Sequence, residues 1–349
     1  MKEKKTIFAV SDIHGCASAL KSALNDAGFK RDDSTHLLVV LGDLFDRGIE
    51  NREVLAYLKG IKNKILIRGN HEDILKQSLT SGSVTDHQFV NGTHITLCEF
   101  FPYYHGERRL DIFESRSRRT AEMLIKLIES MRDYYETDNY IFVHGWLTDD
   151  AQDNDFHYAS RAKWDGARWI RWNKRYPHFE IPGGKTLVVG HTPAYYASTF
   201  DRTRSDYDCS IFYGDKLIAI DGKCSSTGKV NVLVVEDYVD LPKTHTLPAT
   251  PDEITALSRE EARVFITPFS TEVQGIKTGD KIRFLDTGGS ISPEFVINSL
   301  HLYPDSFELG DEISPDEIGI ANVGYDPIRM YIDARYPDNE LPFLAIELA

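Results

Sequence analysis

Three short clusters hold the residues best suited to chemistry: Ser11-Asp12-Ile13-His14-Gly15, Gly42-Asp43-Leu44-Phe45-Asp46-Arg47-Gly48 and Gly69-Asn70-His71-Glu72. Each follows directly on an apolar run, so carboxylate, imidazole and carboxamide groups arrive together at the ends of three consecutive strands. Two later runs end the same way, in His144-Gly145-Trp146 and in Gly190-His191-Thr192. A single histidine after a strand is more often structural than ligating. Five ligand-bearing strand ends in one chain point to a metal site. Carboxylates mixed with imidazoles and a carboxamide suit Mn²⁺, Fe²⁺ or Zn²⁺, whereas an all-oxygen set would suit Ca²⁺ or Mg²⁺.

The elements that must position these groups are legible as short apolar runs at 7–10, 37–41, 65–67, 141–143, 187–189, 217–220 and 232–235. Near-continuous runs of this length read as strands buried on both faces. Helical segments at 17–27 and 51–59 separate the first three and give a β-α-β-α-β alternation. Parallel strands joined by crossovers present their C-terminal ends on one edge of the sheet, where ligands are expected. From 73 to 136 the pattern is helical, ending in a segment over 118–135 whose Met123, Leu124, Leu127, Ile128 and Met131 form a core-facing stripe.

Residues 1–240 are therefore expected to form one α/β domain, with 241–251, rich in Pro and Thr, as a linker. Beyond a short helix at 252–263, strands are predicted at 264–267, 281–285, 294–302, 330–334 and 344–348. Residues 252–349 should then be a small all-β accessory domain, a structural or substrate-shaping appendage without a catalytic constellation of its own.

Composition narrows the function. The net charge of −14 is concentrated C-terminally, with 19 acidic and 8 basic residues in 241–349. Nothing here supplies the clustered Lys and Arg that nucleic acid or an anionic membrane requires. No run approaches a membrane span, and the N-terminus lacks the apolar core of a signal peptide, so a cytoplasmic location is expected. Cys16, Cys98, Cys209 and Cys224 lack paired spacing, which argues against a disulfide framework or a thiolate zinc site. No feature fixes an oligomeric state.

Taken in order, Asp-x-His-Gly, Gly-Asp-x-x-Asp-Arg-Gly, Gly-Asn-His-Glu, His-Gly and Gly-His-Thr resemble the motifs of the calcineurin-like metallophosphoesterases. Asp46-Arg47-Gly48 narrows the resemblance to the phosphoprotein phosphatase family in its bacterial and phage form, over residues 5 to 240. It implies a four-layer α/β/β/α sandwich around two divalent ions, most simply Mn²⁺. Asp12 and His14 would bind the first ion, Asp43 would bridge both, and Asn70, His144 and His191 would complete the second. A hydroxide shared by the two ions would be the nucleophile. By the same resemblance His71 protonates the leaving oxygen, with Asp46 fixing its tautomer and favouring the charged imidazolium. Arg47 and Asn70 contact the substrate phosphate, and a second phosphate-binding arginine is expected in 164–172, Arg168 ahead of Arg171. Glu72 is read as a supporting residue.

Departures from the family pattern limit what carries over. Ser11 stands where Gly is usual, a change expected to affect backbone packing alone, and Trp146 after His144-Gly145 would place an indole over the substrate. The implied activity is that of a metal-dependent phosphomonoesterase, foremost a serine/threonine or dual-specificity protein phosphatase acting on a phosphoprotein. Hydrolysis of a dinucleoside polyphosphate or another small phosphoester is the enzymatic alternative, and a binding protein with an idle site the alternative of another class.

Overall fold

The computed structural model describes residues 1–101, 104, 106, 108–110, 115–149, 155–322, 326–337, 339 and 341–349. It divides into two units, Met1–Leu147 with Asp165–Asp240, and Thr148–Trp164 with Leu241–Ala349.

The first unit opens on the expected alternation of β1 (Lys2–Val10), α1 (Ala17–Asp26), β2 (His36–Leu41), α2 (Asn51–Lys59) and β3 (Lys64–Ile67). β1 pairs in parallel with β2, and β2 with β3, so the three ligand-bearing ends share one edge. Among the described residues four helices follow, α3 (Asn70–Ser81), α4 (Asp86–Val90), α5 (Thr93–Phe100) and α6 (Ser115–Glu129). A second sheet contains β4 (Tyr134–Glu136), β5 (Tyr140–Val143), β6 (Thr186–Val189), β7 (Phe212–Gly214) and β8 (Leu217–Ala219), in the order β4-β5-β6-β8-β7. α7 (Arg161–Ala167) precedes β6 in the chain and α8 (Cys224–Thr227) follows β8. β9 (Leu233–Asp240) returns to pair antiparallel with β1.

Strand alternation explains the layers. Phe8, Val10, Leu38 and Val40 pack against Leu20, Leu24, Val54, Leu58, Leu124 and Ile128 of the covering helices. Ile7, Ala9, Leu37 and Val39 point the other way, onto Phe142, Val188 and Ile218 of the second sheet. Leu187 and Val189 alternate to that sheet's far face and are equally buried. Both sheets are covered on both faces, which is why their sequences read as continuous apolar runs and why the sandwich has four layers.

Some expected boundaries are corrected. The 118–135 helix is α6, ending at Glu129, and Tyr134–Glu136 pairs with β5 as a strand. The parts of the 73–136 reading at 102, 103, 105, 107 and 111–114 lie outside the described residues.

The second unit is built on β10 (Thr244–Pro248), β11 (Val264–Pro268), β12 (Lys281–Leu285), β13 (Phe295–Tyr303) and β14 (Phe343–Leu348), in the order β10-β12-β13-β14-β11. The expected linker is therefore partly a strand: Thr244–Pro248 pairs in parallel with Lys281–Leu285. Nor is the unit all-β, since α9 (Pro251–Ser258), α10 (Ser306–Glu312) and α11 (Pro327–Arg335) accompany the sheet. The strand expected at 330–334 lies inside α11, where Asp326 caps the first turn, Pro327 starts it and Ile328 and Ile332 share its buried face.

Candidate metal centre

The site lies where β1, β2, β3, β5 and β6 run out. Asp12, His14, Asp43, Asp46, Arg47 and His191 all have positive φ, between 45° and 73°. Non-glycine residues adopt this region at a cost, and they cluster where the surrounding structure over-determines a functional geometry. Sharp turns immediately after the strands aim these side chains back over the sheet edge. Two glycines make room for them. A Cβ on Gly42 would lie 2.5 Å from Gly69 N, and one on Gly190 would lie 1.7 Å from Ser11 Oγ.

Asp43 stands at the centre. One of its oxygens, Oδ2, is 3.5 Å from His14 Nε2, and the other, Oδ1, is 3.4 Å from His144 Nε2. Donor atoms of His14, Asp43 and His71 lie within 4.8 Å of one another, as do those of Asp43, His144 and His191. Asp12 Oδ1 lies 3.9 Å from His14 Nε2, while its Oδ2 accepts from His191 N at 2.8 Å. Asn70 Oδ1 lies 2.9 Å from both His144 Nε2 and His191 Nδ1.

The tautomers identify the kind of guest. His14 Nδ1 donates to the Phe45 carbonyl at 2.9 Å and His144 Nδ1 donates to Leu41 at 2.6 Å. Each Nε2 therefore presents a lone pair to the centre, alongside the oxygens of Asp43 and Asn70. Convergent acceptors repel one another until a cation joins them. Burial pushes Asp43 well above the usual carboxylate range, with the charges of Asp12 and Glu72 adding to it. Burial likewise lowers His14 well below an ordinary imidazole, helped by His71 and Arg47, and lowers His191 to about 2. Neutral imidazoles and buried carboxylates are the ligand forms that divalent cations select.

His71 and Asp46 stand beside this cluster, with His71 Nδ1 2.8 Å from Asp46 Oδ2. Thr96 Oγ1 donates to Asp46 Oδ1 at 2.7 Å and Thr93 Oγ1 to Oδ2 at 3.0 Å. The charged imidazolium expected here is disfavoured. Burial and the Arg47 cation lower His71 well below its ordinary value, and burial raises Asp46 to about 7 despite the threonine bonds. Arg47 reaches both rings, with Nη1 2.8 Å from His14 Nε2 and Nη2 2.9 Å from His71 Nε2.

Two expected placements are corrected. Arg168 is buried and engaged by carboxylates, its guanidinium held by Asp133 at 2.8 Å, by Asp165 at 2.5 Å and near Asp73 at 3.5 Å. Arg171 is exposed, and its charge contributes to the lowering of His191. Trp146 does not overhang the site; it is 2 % exposed and packs edge-on against Phe179.

Glu72 has the supporting contacts of the role read for it, and several other supporting contacts lay outside the sequence expectation. Ser11 does more than pack: its hydroxyl donates to the Asp12 carboxylate. Glu72 accepts from Asp43 N, Leu44 N and Gly69 N, each at 2.8 Å, and so fastens the β2 turn to the start of α3. A Glu three residues after the N-cap, the half of a capping box that a glycine N-cap leaves possible, was the available signal for this. Asp221 is a further buried carboxylate, raised by burial and by the nearby Asp12 charge. Thr93 and Thr96 had no signal, because they reach Asp46 from a helix about fifty residues away.

Residues 5–234 match the family model for calcineurin-like phosphoesterase. The chain is 28% identical over 202 residues to serine/threonine-protein phosphatase 2 of Salmonella typhimurium, covering 56% of this chain and 83% of that protein. It is 25% identical over 234 residues to the asymmetrical bis(5'-nucleosyl)-tetraphosphatase PrpE of Bacillus subtilis, covering 60% and 87%. Among solved structures, a cold-active protein-tyrosine phosphatase of a psychrophilic Shewanella is similar at 17% identity with a TM-score of 0.39, covering 66% of this chain and 75% of that one.

Proposed function

Because the chain belongs to the calcineurin-like phosphoesterase family, whose members hydrolyse phosphoric esters, we propose that it is a metal-dependent phosphomonoesterase acting on phosphorylated side chains of proteins. One observation carries the reading: the two oxygens of Asp43 face His14 and His144 separately, with the His71 and Asp46 pair alongside. Asp12, His14 and Asp43 would hold one ion, and Asp43, Asn70, His144 and His191 the other, Mn²⁺ being our choice for both. Bound there, two divalent cations supply an activated water and stabilise the attacking and leaving oxygens of an in-line displacement.

The chain's own groups do the rest. Arg47 lies between His14 and His71, so an incoming phosphate dianion meets a guanidinium fork already in place. Drawing Arg47 onto the phosphate relieves a cation that adds to burial in suppressing protonation of His71. Asp46, locked by Thr93 and Thr96, then holds Nδ1 while Nε2 delivers a proton to the departing oxygen. Arg171 takes the role of second phosphate contact in place of Arg168.

Phosphate release tests this, measured with Mn²⁺ added to chelator-treated protein on a phosphoserine peptide, a phosphotyrosine peptide, p-nitrophenyl phosphate and diadenosine tetraphosphate. Preference for the peptides supports the proposal. Preference for the dinucleotide moves the substrate to nucleotides on the same centre, and no metal-dependent release from any of them overturns the reading. Among the described residues, no helix is long and apolar enough to cross a membrane.

A further inference from the structure

We propose that Trp169 is a specificity-determining residue, an aromatic wall that selects substrates carrying an aromatic ring on the scissile phosphate. The inference rests on the phosphoester-hydrolase reading and deepens it.

Of the four tryptophans, Trp146, Trp164 and Trp172 are at most 2 % exposed, whereas Trp169 is 43 % exposed. Its indole lies 6.2 Å from the ring of His191 at 80°, against the rim of the metal centre. It also lies 5.8 Å from His87 of α4, a residue close enough to His71 for its charge to act there. The indole therefore spans from a residue of the metal cluster to the approach of the proton donor.

Its position is fixed by its neighbours. Arg168 is anchored by Asp133 and Asp165, and Trp172 is buried with Nε1 donating to the Thr192 carbonyl at 2.9 Å. Between these two anchors the chain presents Trp169 and Arg171 outward. Arg171 acts on His191, and on Tyr195, whose ring stacks on Tyr196 at 4.5 Å. An exposed guanidinium, an exposed indole and a tyrosine pair thus lie beside His191. An exposed polarisable face beside an anion site favours a ring attached through the phosphoryl oxygen over a saturated alkyl group, because offset or edge-to-face ring contacts add to area burial.

The test compares kcat/KM for one peptide carrying phosphotyrosine or phosphoserine, in the wild type and in Trp169→Ala, Trp169→Leu and Trp169→Phe. Leaving-group chemistry differs between the peptides but cancels when their ratio is compared across variants. Trp169→Ala and Trp169→Leu should reduce the phosphotyrosine preference by roughly tenfold, and Trp169→Phe should keep most of it. Diadenosine tetraphosphate, run beside them, is the control, since its ring is carried on ribose and not on the scissile phosphate: a loss confined to phosphotyrosine supports the proposal, and a loss confined to the dinucleotide overturns it. Equal losses on all substrates, or none, overturn the proposal. Should the wild type release phosphate from none of them, the hydrolase reading fails, and the wall is judged by binding alone. Phenylphosphonate should then quench the exposed indole where methylphosphonate does not, and a phenyl-specific quench that is absent, or that survives in Trp169→Phe, sinks it.

Discussion

Asp46 Oδ2 lies 2.8 Å from His71 Nδ1, and the same carboxylate accepts from Thr93 and Thr96, so the imidazole is oriented from a residue that itself cannot turn. Asp46→Asn keeps the shape and removes the charge. It should lower kcat about a hundredfold on an alkyl phosphopeptide. The loss should be much smaller on p-nitrophenyl phosphate, whose leaving group barely needs a proton. Steady-state rates on both substrates check this, and equal losses would remove the pair from proton delivery.

Asp43 is the one residue shared by both candidate ion groups. Asp43→Asn should lose metal as well as activity. Elemental analysis after Mn²⁺ loading and desalting is expected to fall from two equivalents towards one or none. Treatment of the wild type with a chelator should abolish phosphate release, and Mn²⁺ should restore it. Full metal content in Asp43→Asn would show that this carboxylate does not bridge.

The two arginines of the 164–172 segment should separate cleanly. Arg171→Ala should raise KM for phosphomonoesters severalfold with little change in melting temperature. Arg168→Ala leaves Asp133 and Asp165 without their shared cation and should destabilise the fold by about 3 kcal/mol. Thermal melts and KM values for both variants decide it; a KM effect from Arg168 with unchanged stability would return the phosphate contact to that residue.

The difference between those arginines shows what the sequence could and could not carry. Asp12, His14, Asp43, Asn70, His144 and His191 were legible because each follows a strand, and parallel pairing brings such ends to one edge whatever the loops do. Whether Arg168 or Arg171 faces the site depends on one helical end and on Asp133, a partner 35 residues earlier, which no local pattern encodes. Trp146 likewise missed its expected place over the substrate, because burial against Phe179 is a tertiary outcome. In the C-terminal region, short apolar runs suit strand or helix equally, and the Asp326 cap with Pro327 decided for helix at 327–335.

Ser11 and Gly190 are matched. A methyl group at Gly190 would fall 1.7 Å from Ser11 Oγ, 2.8 Å from its Cβ and 2.6 Å from Asp12 Oδ2. Gly190→Ala should therefore cost about 2 kcal/mol or more and displace His191 from the centre. Adding Ser11→Gly removes two of the three collisions, so the double variant should recover part of the stability and metal content. Additive losses in the double variant would show that the two positions do not press on one another.

The second unit should carry an acid-sensitive lock. Burial alone would push the Glu347 carboxyl up, but Arg161, with His301 at 3.3 Å, reverses this and holds it well below its ordinary 4.5. A carboxyl depressed in the folded state binds its proton more readily when unfolded, so its stabilisation is fully present above about pH 4.5 and fades as pH falls below that towards the folded value. Denaturant unfolding measured between pH 7 and pH 3 should show this loss in the wild type. Glu347→Gln should be less stable at pH 7, because Arg161 then loses one of its buried counter-ions and keeps Glu317, at 3.0 Å. It should also lose stability less steeply below pH 4.5, by up to about 1.4 kcal/mol per pH unit, the slope of one proton. An unchanged slope would place the titrating group elsewhere, and unchanged stability at pH 7 would show that the Arg161 pair contributes nothing to the fold.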